Sequence, residues 1–132
     1  MGYLLDTNIC IYIIKKRPES VLKRFNQIPL GEVGISSITV AELNYGVAKS
    51  ANPGKNQAAL HKFLLAFEIF NFDYKASIEY GKIRSLLEKK GTPIGPLDTL
   101  IAAHAKSLGY TLVTNNESEF RRVERLEVEN WV

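Results

Sequence analysis

Two hydrophobic periods alternate along the chain. Short, largely apolar stretches at residues 3–5, 32–36, 69–72, 111–113 and 126–128 read as brief strands. Between them the apolar positions spread to helical spacing. Leu60, Phe63, Leu64 and Phe67 predict an amphipathic helix over 57–67. Ile78, Ile83, Leu86 and Leu87, with Glu and Lys opposite, predict a long helix over 74–90. Further helices are expected at 8–14, 19–26, 39–49, 97–108 and 117–122. Punctuation agrees: Lys15-Lys16-Arg17 and Pro18 close the first helix, Asn52-Pro53-Gly54 reads as a turn, and Gly109 ends the apolar helix before it. Trp131 is expected to pack as a C-terminal anchor. Strands alternating with helices imply an α/β fold with a parallel, doubly wound sheet of four to five short strands, in one domain spanning 1–132.

Composition changes this picture little. The 132 residues are 45% hydrophobic and 23% charged, enough for one real core. A net charge of +3 permits a phosphate-rich partner without demanding one. Cys10 is the single cysteine, which excludes an internal disulfide and fits a reducing compartment. No run is long enough to span a bilayer, and the apolar start has no basic flank and is interrupted by Asp6 and Asn8. A cytoplasmic protein with no membrane partner is the expectation.

The candidate chemistry lies at the strand ends. Tyr3-Leu4-Leu5 delivers Asp6 to the carboxyl tip of the first strand, the edge where open α/β sheets bind ligands. Three later stretches send acids to the same edge: Glu42 on the helix after the second strand, Asp98 in the first turn after Gly95-Pro96, and Glu119 just past Thr114-Asn115-Asn116. Each alone could be only a helix cap. Thr39-x-x-Glu42 matches a capping box, Asn116-x-x-Glu119 matches one loosely, and Asp98 would favour its helix N-terminus. Together they say more. Asp98 stands inside the nearly wholly apolar run 94–105, where a carboxylate is costly unless paired or metal-bound. Converging acids repel, and a divalent cation relieves them; hard oxygen ligands suit Mg²⁺ or Mn²⁺.

Four segments then match a known family in order: Leu5-Asp6-Thr7-Asn8; Ser37-x-Thr39-x-Ala41-Glu42-Leu43-x-Tyr45-Gly46; Ile94-Gly95-Pro96-x-Asp98-x-Leu100-Ile101-Ala102-Ala103-His104-Ala105; and Leu112-Val113-Thr114-Asn115-Asn116-x-x-Glu119-Phe120. Over essentially its whole length the chain resembles PIN-domain ribonucleases of the VapC type, the toxins of bacterial toxin–antitoxin pairs. The resemblance implies a PIN-like three-layer sandwich. It makes Asp6, Glu42 and Asp98 the catalytic acids, with Asp6 and Asp98 as metal ligands and Thr7 and Thr114 in support. Many relatives carry aspartate where this chain has Asn116; Glu119, one turn on, is then the fourth acid and Asn116 a supporting residue.

The chemistry implied is Mg²⁺-dependent hydrolysis of an RNA phosphodiester, leaving a 5′-phosphate and a 3′-hydroxyl, with initiator tRNA cut in its anticodon loop. A VapB antitoxin and a homodimer within the toxin–antitoxin assembly are implied as partners. Lys15, Lys16 and Arg17, and Arg121 and Arg122 with Arg125, are the candidate RNA contacts, to which Lys49 would add; solvated helix ends explain them equally well. Ile9, Tyr12, Ile13, Leu60, Phe63 and Phe67 are candidates for an antitoxin groove, though most read better as core. His61 and His104 fall outside the acid motifs, so a histidine ribonuclease is not expected, and two histidines with one cysteine disfavour structural zinc. Three readings stay open: a PIN nuclease of RNA processing without an antitoxin, a non-catalytic RNA-binding PIN module, and a phosphotransfer protein on a similar sheet. The last wants Asp-x-Asp after the first strand, where this chain has Asn8, or paired acids before a phosphoacceptor, which are missing.

Overall fold

The computed structural model describes residues 2–132. Five short strands form one parallel sheet in the order β3-β2-β1-β4-β5. They are β1 (Tyr3–Leu5), β2 (Val33–Ser36), β3 (Glu68–Phe70), β4 (Thr111–Val113) and β5 (Val128–Glu129). The central strand β1 pairs Leu4 with Leu112 and Leu5 with Val113 of its neighbour β4. These residues are fully buried, as expected for parallel strands covered on both faces. At β2 the backbone must pass close to a neighbour: a Cβ on Gly34 would collide with the Phe70 ring of the adjacent strand.

The pleat splits the core in two. Leu5, Val33, Ile35 and Val113 face a cluster containing Ile9, Cys10, Ile13, Val21, Leu43 and Leu60. It is covered by α1 (Thr7–Lys15), α2 (Glu19–Asn26), α3 (Ser37–Ala48) and α4 (Pro53–Leu64). Leu4 and Leu112 point the other way, into a cluster with Ile83, Leu87, Ile101, Ala102 and Phe120. That side is covered by α5 (Tyr74–Lys89), α6 (Pro96–Leu108) and α7 (Glu117–Phe120). The three-layer α/β sandwich is thus as expected, with five strands. Trp131 is buried against Tyr3, and its indole N–H donates to Glu129 at 2.8 Å.

Some boundaries differ from expectation for local reasons. Asn52-Pro53-Gly54 does not turn the chain away. Pro53 occupies the first turn of α4, where a missing N–H costs nothing, so the helix begins four residues early and ends at Leu64. The Thr39–Glu42 capping box does not form. Strand β2 pairs through Ser36, so the helix starts there: the Ser36 hydroxyl accepts the Ile38 N–H at 3.1 Å. Thr39 is buried inside α3 with its hydroxyl unpartnered, and Glu42 lies in the second turn. Nor do Asn116 and Glu119 make a capping box, since the Asn116 side chain donates to Glu119 instead of receiving a backbone N–H.

Candidate active site

Each acid arrives by a different route. Asp6 leaves the tip of β1 and caps α1: its Oδ1 accepts the Thr7 N–H at 2.8 Å. Its Oδ2 accepts the hydroxyl proton of Thr114 at 2.7 Å, across from the tip of β4. Thr114 is fully buried, and its oxygen also accepts the Asn116 N–H at 3.0 Å. Neighbouring strand ends thereby lock one carboxylate in a single orientation. Asp6 is 6% exposed. Burial pushes its pKa up, the Thr114 and Thr7 hydrogen bonds pull it down, and the Glu119 charge adds to the rise, leaving it above the ordinary carboxylate value.

Glu42 and Asp98 complete a cleft of about 140 Å³ lined by Asp6, Thr7, Asn8, Glu42, Asp98, Ile101 and Asn116. Asp98 enters from the first turn of α6, which Pro96 opens. Burial, a hydrogen bond with Glu119, and the charges of Asp6, Glu119 and Glu42 push its pKa up to about 7. Four like-charged groups thus share one edge of the sheet. Among the described residues, no lysine or arginine forms a salt bridge with Asp6, Glu42 or Asp98.

Glu119 stands at the rim. Its Oε1 accepts the Gly95 N–H at 3.1 Å, and its Oε2 accepts from the Asn116 amide at 2.7 Å. Partial burial acts against ionisation, but the bonds from Asn116, Gly95 and Asp98 hold its pKa below the ordinary value. Arg122, from the segment after α7, donates to the Pro93 carbonyl at 3.0 Å. Glu119 and Arg122 therefore clasp the loop that delivers Asp98 at Gly95 and Pro93, just before α6. Sequence reasoning placed Glu119 among the acids and missed this clasp, because nothing in the spacing of residues 93–95 and 119–122 signals contact.

A second buried link also escaped the sequence. His104 Nδ1 lies 2.7 Å from the Ser36 hydroxyl oxygen, and its ring meets Phe72 edge-on. The bond ties α6, which carries Asp98, to the N-cap of α3, which carries Glu42. His104 is therefore satisfied and away from the acids, as expected. Burial lowers its pKa, against a weaker upward pull from Asp73.

The basic candidates divide. Lys15, Lys16 and Arg17 are exposed at the end of α1, and Lys15 borders a groove shared with Glu42. Arg121 is ion-paired with Glu117 at 3.1 Å. The groove, about 350 Å³, runs between α1, α3 and α4 and is lined by Ile11, Ile14, Leu43, Val47 and Leu60. Of the residues first considered for it, Ile9, Ile13 and Leu60 are core and Tyr12, Phe63 and Phe67 pack against that core. Leu60 also reaches the groove wall.

The donor set fits a hard divalent ion. All three cleft acids offer oxygen, their mutual repulsion is uncompensated, and Mg²⁺ is commonly held by only one or two carboxylates. No three His, Cys, Asp or Glu side chains among the described residues stand closely enough to form a cage. Cys10, fully buried behind Asp6 with its thiol pKa pushed up by burial, is no nucleophile.

An α/β sheet with an acid-lined cleft at its carboxyl edge matches the PIN domain, whose family profile covers residues 3–126, and the chain belongs to that family. Within it, the chain is a ribonuclease of the VapC type, the toxin component of VapBC toxin–antitoxin systems. It is 50% identical over 132 residues to ribonuclease VapC2 of Haemophilus influenzae, covering 100% of this chain and 99% of that one. It is 45% identical over 131 residues to the tRNA(fMet)-specific endonuclease VapC of Salmonella typhimurium, covering 99% and 98%. The crystal structure of DNA-bound VapBC from Salmonella typhimurium superposes with a TM-score of 0.94 at 44% identity, covering 100% of this chain and 99% of that one. No helix among the described residues is long and apolar enough to cross a membrane.

Proposed function

We propose that Asp6, Glu42 and Asp98, with Glu119 at the rim, form a Mg²⁺-dependent site that hydrolyses tRNA, the initiator tRNA in particular. The observation that carries the reading is the convergence of these acids in one small cleft without a paired cation. The tRNA assignment rests on 45% identity to an endonuclease specific for tRNA(fMet). Mn²⁺ can serve in the same oxygen site.

Asp6 and Asp98 would hold the metal, which when bound supplies an acidified water and offsets charge on the phosphoryl oxygens. The residues do the positioning. Thr7 and Thr114 fix both oxygens of Asp6, so its orientation is set before substrate arrives. Glu119 holds the Gly95 N–H, and through it the start of the Asp98 helix. Water adds to phosphorus, the P–O3′ bond breaks, and the products are a 5′-phosphate and a 3′-hydroxyl. Lys15, Lys16 and Arg17, exposed at the end of α1, supply positive charge for the RNA backbone, with Arg122 and the Glu117-paired Arg121 as weaker contributors.

A VapB-type antitoxin would silence the enzyme by laying an apolar segment along the groove of Ile11, Ile14, Leu43 and Val47, which ends at Glu42. The assembly is proposed to contain a homodimer of this chain. Cleavage of purified total tRNA in Mg²⁺ tests the reading. A discrete cut leaving 5′-phosphates is expected, lost in EDTA and in Asp6→Ala and Asp98→Asn. Cleavage that survives EDTA or either substitution would overturn the site.

A further inference from the structure

Helix α3 carries Glu42 into the cleft and then runs out toward solvent. At 3.6 residues per turn, Tyr45 and Lys49 fall within about 60° of Glu42 around the helix and lie roughly 4.5 and 10 Å farther along its axis. The three side chains make one stripe that begins in the acid cleft. Tyr45 is 65% exposed, and Lys49 Nζ sits 4.8 Å from the centroid of its ring. Among the described residues, Lys49 has no carboxylate partner.

The apolar groove uses a different side of the same helix. Leu43 and Val47 lie about 100–140° around from Glu42 by the same periodicity, on the opposite side of it from Tyr45. Tyr45 and Lys49 are therefore not part of the groove wall, although Glu42 borders both. It joins an acid of the cleft to an exposed aromatic face and then to a cation. Single-stranded RNA is recognised by that combination, because every base offers a π-face and every nucleotide a phosphate.

We propose that Tyr45 and Lys49 form a nucleotide subsite for the RNA substrate, in which the Tyr45 ring stacks on a base flanking the scissile phosphate and Lys49 contacts a neighbouring backbone phosphate. The inference rests on the placement of the reacting phosphate at Asp6, Glu42 and Asp98. In the single chain the large Tyr45 ring stands exposed one turn beyond Glu42. Stacking is indifferent to base identity, so the subsite contributes affinity and alignment at the cut.

The test uses the full chain in the Asp98→Asn background. Binding is measured by fluorescence anisotropy with two probes: a labelled 12-nucleotide single-stranded RNA, and the same ribose–phosphate chain without bases. Tyr45→Ala and Tyr45→Leu should each weaken binding of the RNA roughly five- to a hundredfold and leave the base-free chain unchanged. Tyr45→Phe should bind like the parent. Lys49→Ala should weaken both probes alike and lower the salt slope by about one. Equal affinity of Tyr45→Ala and the parent for the RNA would overturn the proposal, as would full affinity in Tyr45→Leu. A changed oligomeric state of Tyr45→Ala with unaltered RNA affinity would also overturn it and assign the ring to contact between copies. Cleavage of the RNA probe in the Asp98→Asn background would count against the acid site and not against stacking.

Discussion

Replacing Thr114 with valine keeps the shape of the side chain and removes one hydroxyl. That hydroxyl donates to Asp6 at 2.7 Å and accepts the Asn116 N–H at 3.0 Å, and Thr114 is fully buried. A hydrogen bond to a charged group contributes about 1.5–3 kcal/mol, and the stranded Asn116 N–H adds about 0.5–1 kcal/mol. Protonation of Asp6 limits the loss, so a net destabilisation of about 2–3 kcal/mol is expected. For a chain of this size that is a fall in Tm of roughly 6–12 °C. The penalty should depend on pH. Burial raises the folded pKa of Asp6 above 3.8, and the Thr114 bond counteracts that rise. A group with a raised folded pKa contributes stability that is fully present below its unfolded pKa and is lost as pH rises through its folded pKa. Removing the hydroxyl raises that folded pKa further, so the loss should be larger at pH 8 than at pH 5. Urea denaturation of metal-free protein at the two pH values reads both effects. A loss below about 0.5 kcal/mol, or one that does not change with pH, would refute the view that Thr114 holds an ionised Asp6.

Asp98→Asn should abolish cleavage yet stabilise the metal-free protein by about 1 kcal/mol at pH 8, a figure much reduced from the full shift because the carboxyl is half exposed. The gain should vanish near pH 4, where Asp98 carries its proton, and thermal melts in EDTA check it. Lys15→Ala should lower the salt slope of RNA binding by about one, whereas Arg121→Ala should change it less because Glu117 already neutralises that guanidinium; filter binding at several salt concentrations compares them. Burial depresses the His104 pKa, so the neutral ring's contribution to stability is present above its unfolded value of 6.5 and is lost as pH falls toward the folded value. His104→Phe should flatten that acid limb in denaturation curves, at some cost in stability from the lost Ser36–His104 hydrogen bond.

A parallel sheet between helices could be anticipated from the alternation of short apolar runs with helical spacing, but not the order of its strands; the acids stood out by their positions just past strand ends. Asp6 was legible because Leu4 and Leu5 fix a strand whose tip can only be residue 6. Glu42 does reach the cleft, but from the second turn of α3, not the first as expected. Ser36, Ser37 and Thr39 all compete to cap α3, and only the pairing of β2 with β3 through Ser36 decides among them. Contacts between segments far apart in sequence left no local signal. The hold of Glu119 on Gly95 spans 24 residues and the His104–Ser36 link spans 68, and neither has a periodicity. Most of the residues first considered for the groove are core, as expected, and which α1 residues face outward was hidden because α1 is apolar almost all round. Ile9 and Ile13 turn to the core, while Ile11 and Ile14, one to two residues away, line the open side.

The central claim is that Asp6 and Asp98 hold one divalent cation at the cleft, with Glu42 and Glu119 as the surrounding acids. Calorimetric titration of Mn²⁺ into the metal-free protein, beside Asp6→Asn and Asp98→Asn, tests it most directly. Saturable binding by the parent that is lost in both variants, with Mg²⁺ competing for the same site, is the predicted result. Undiminished Mn²⁺ binding in either variant would contradict the account.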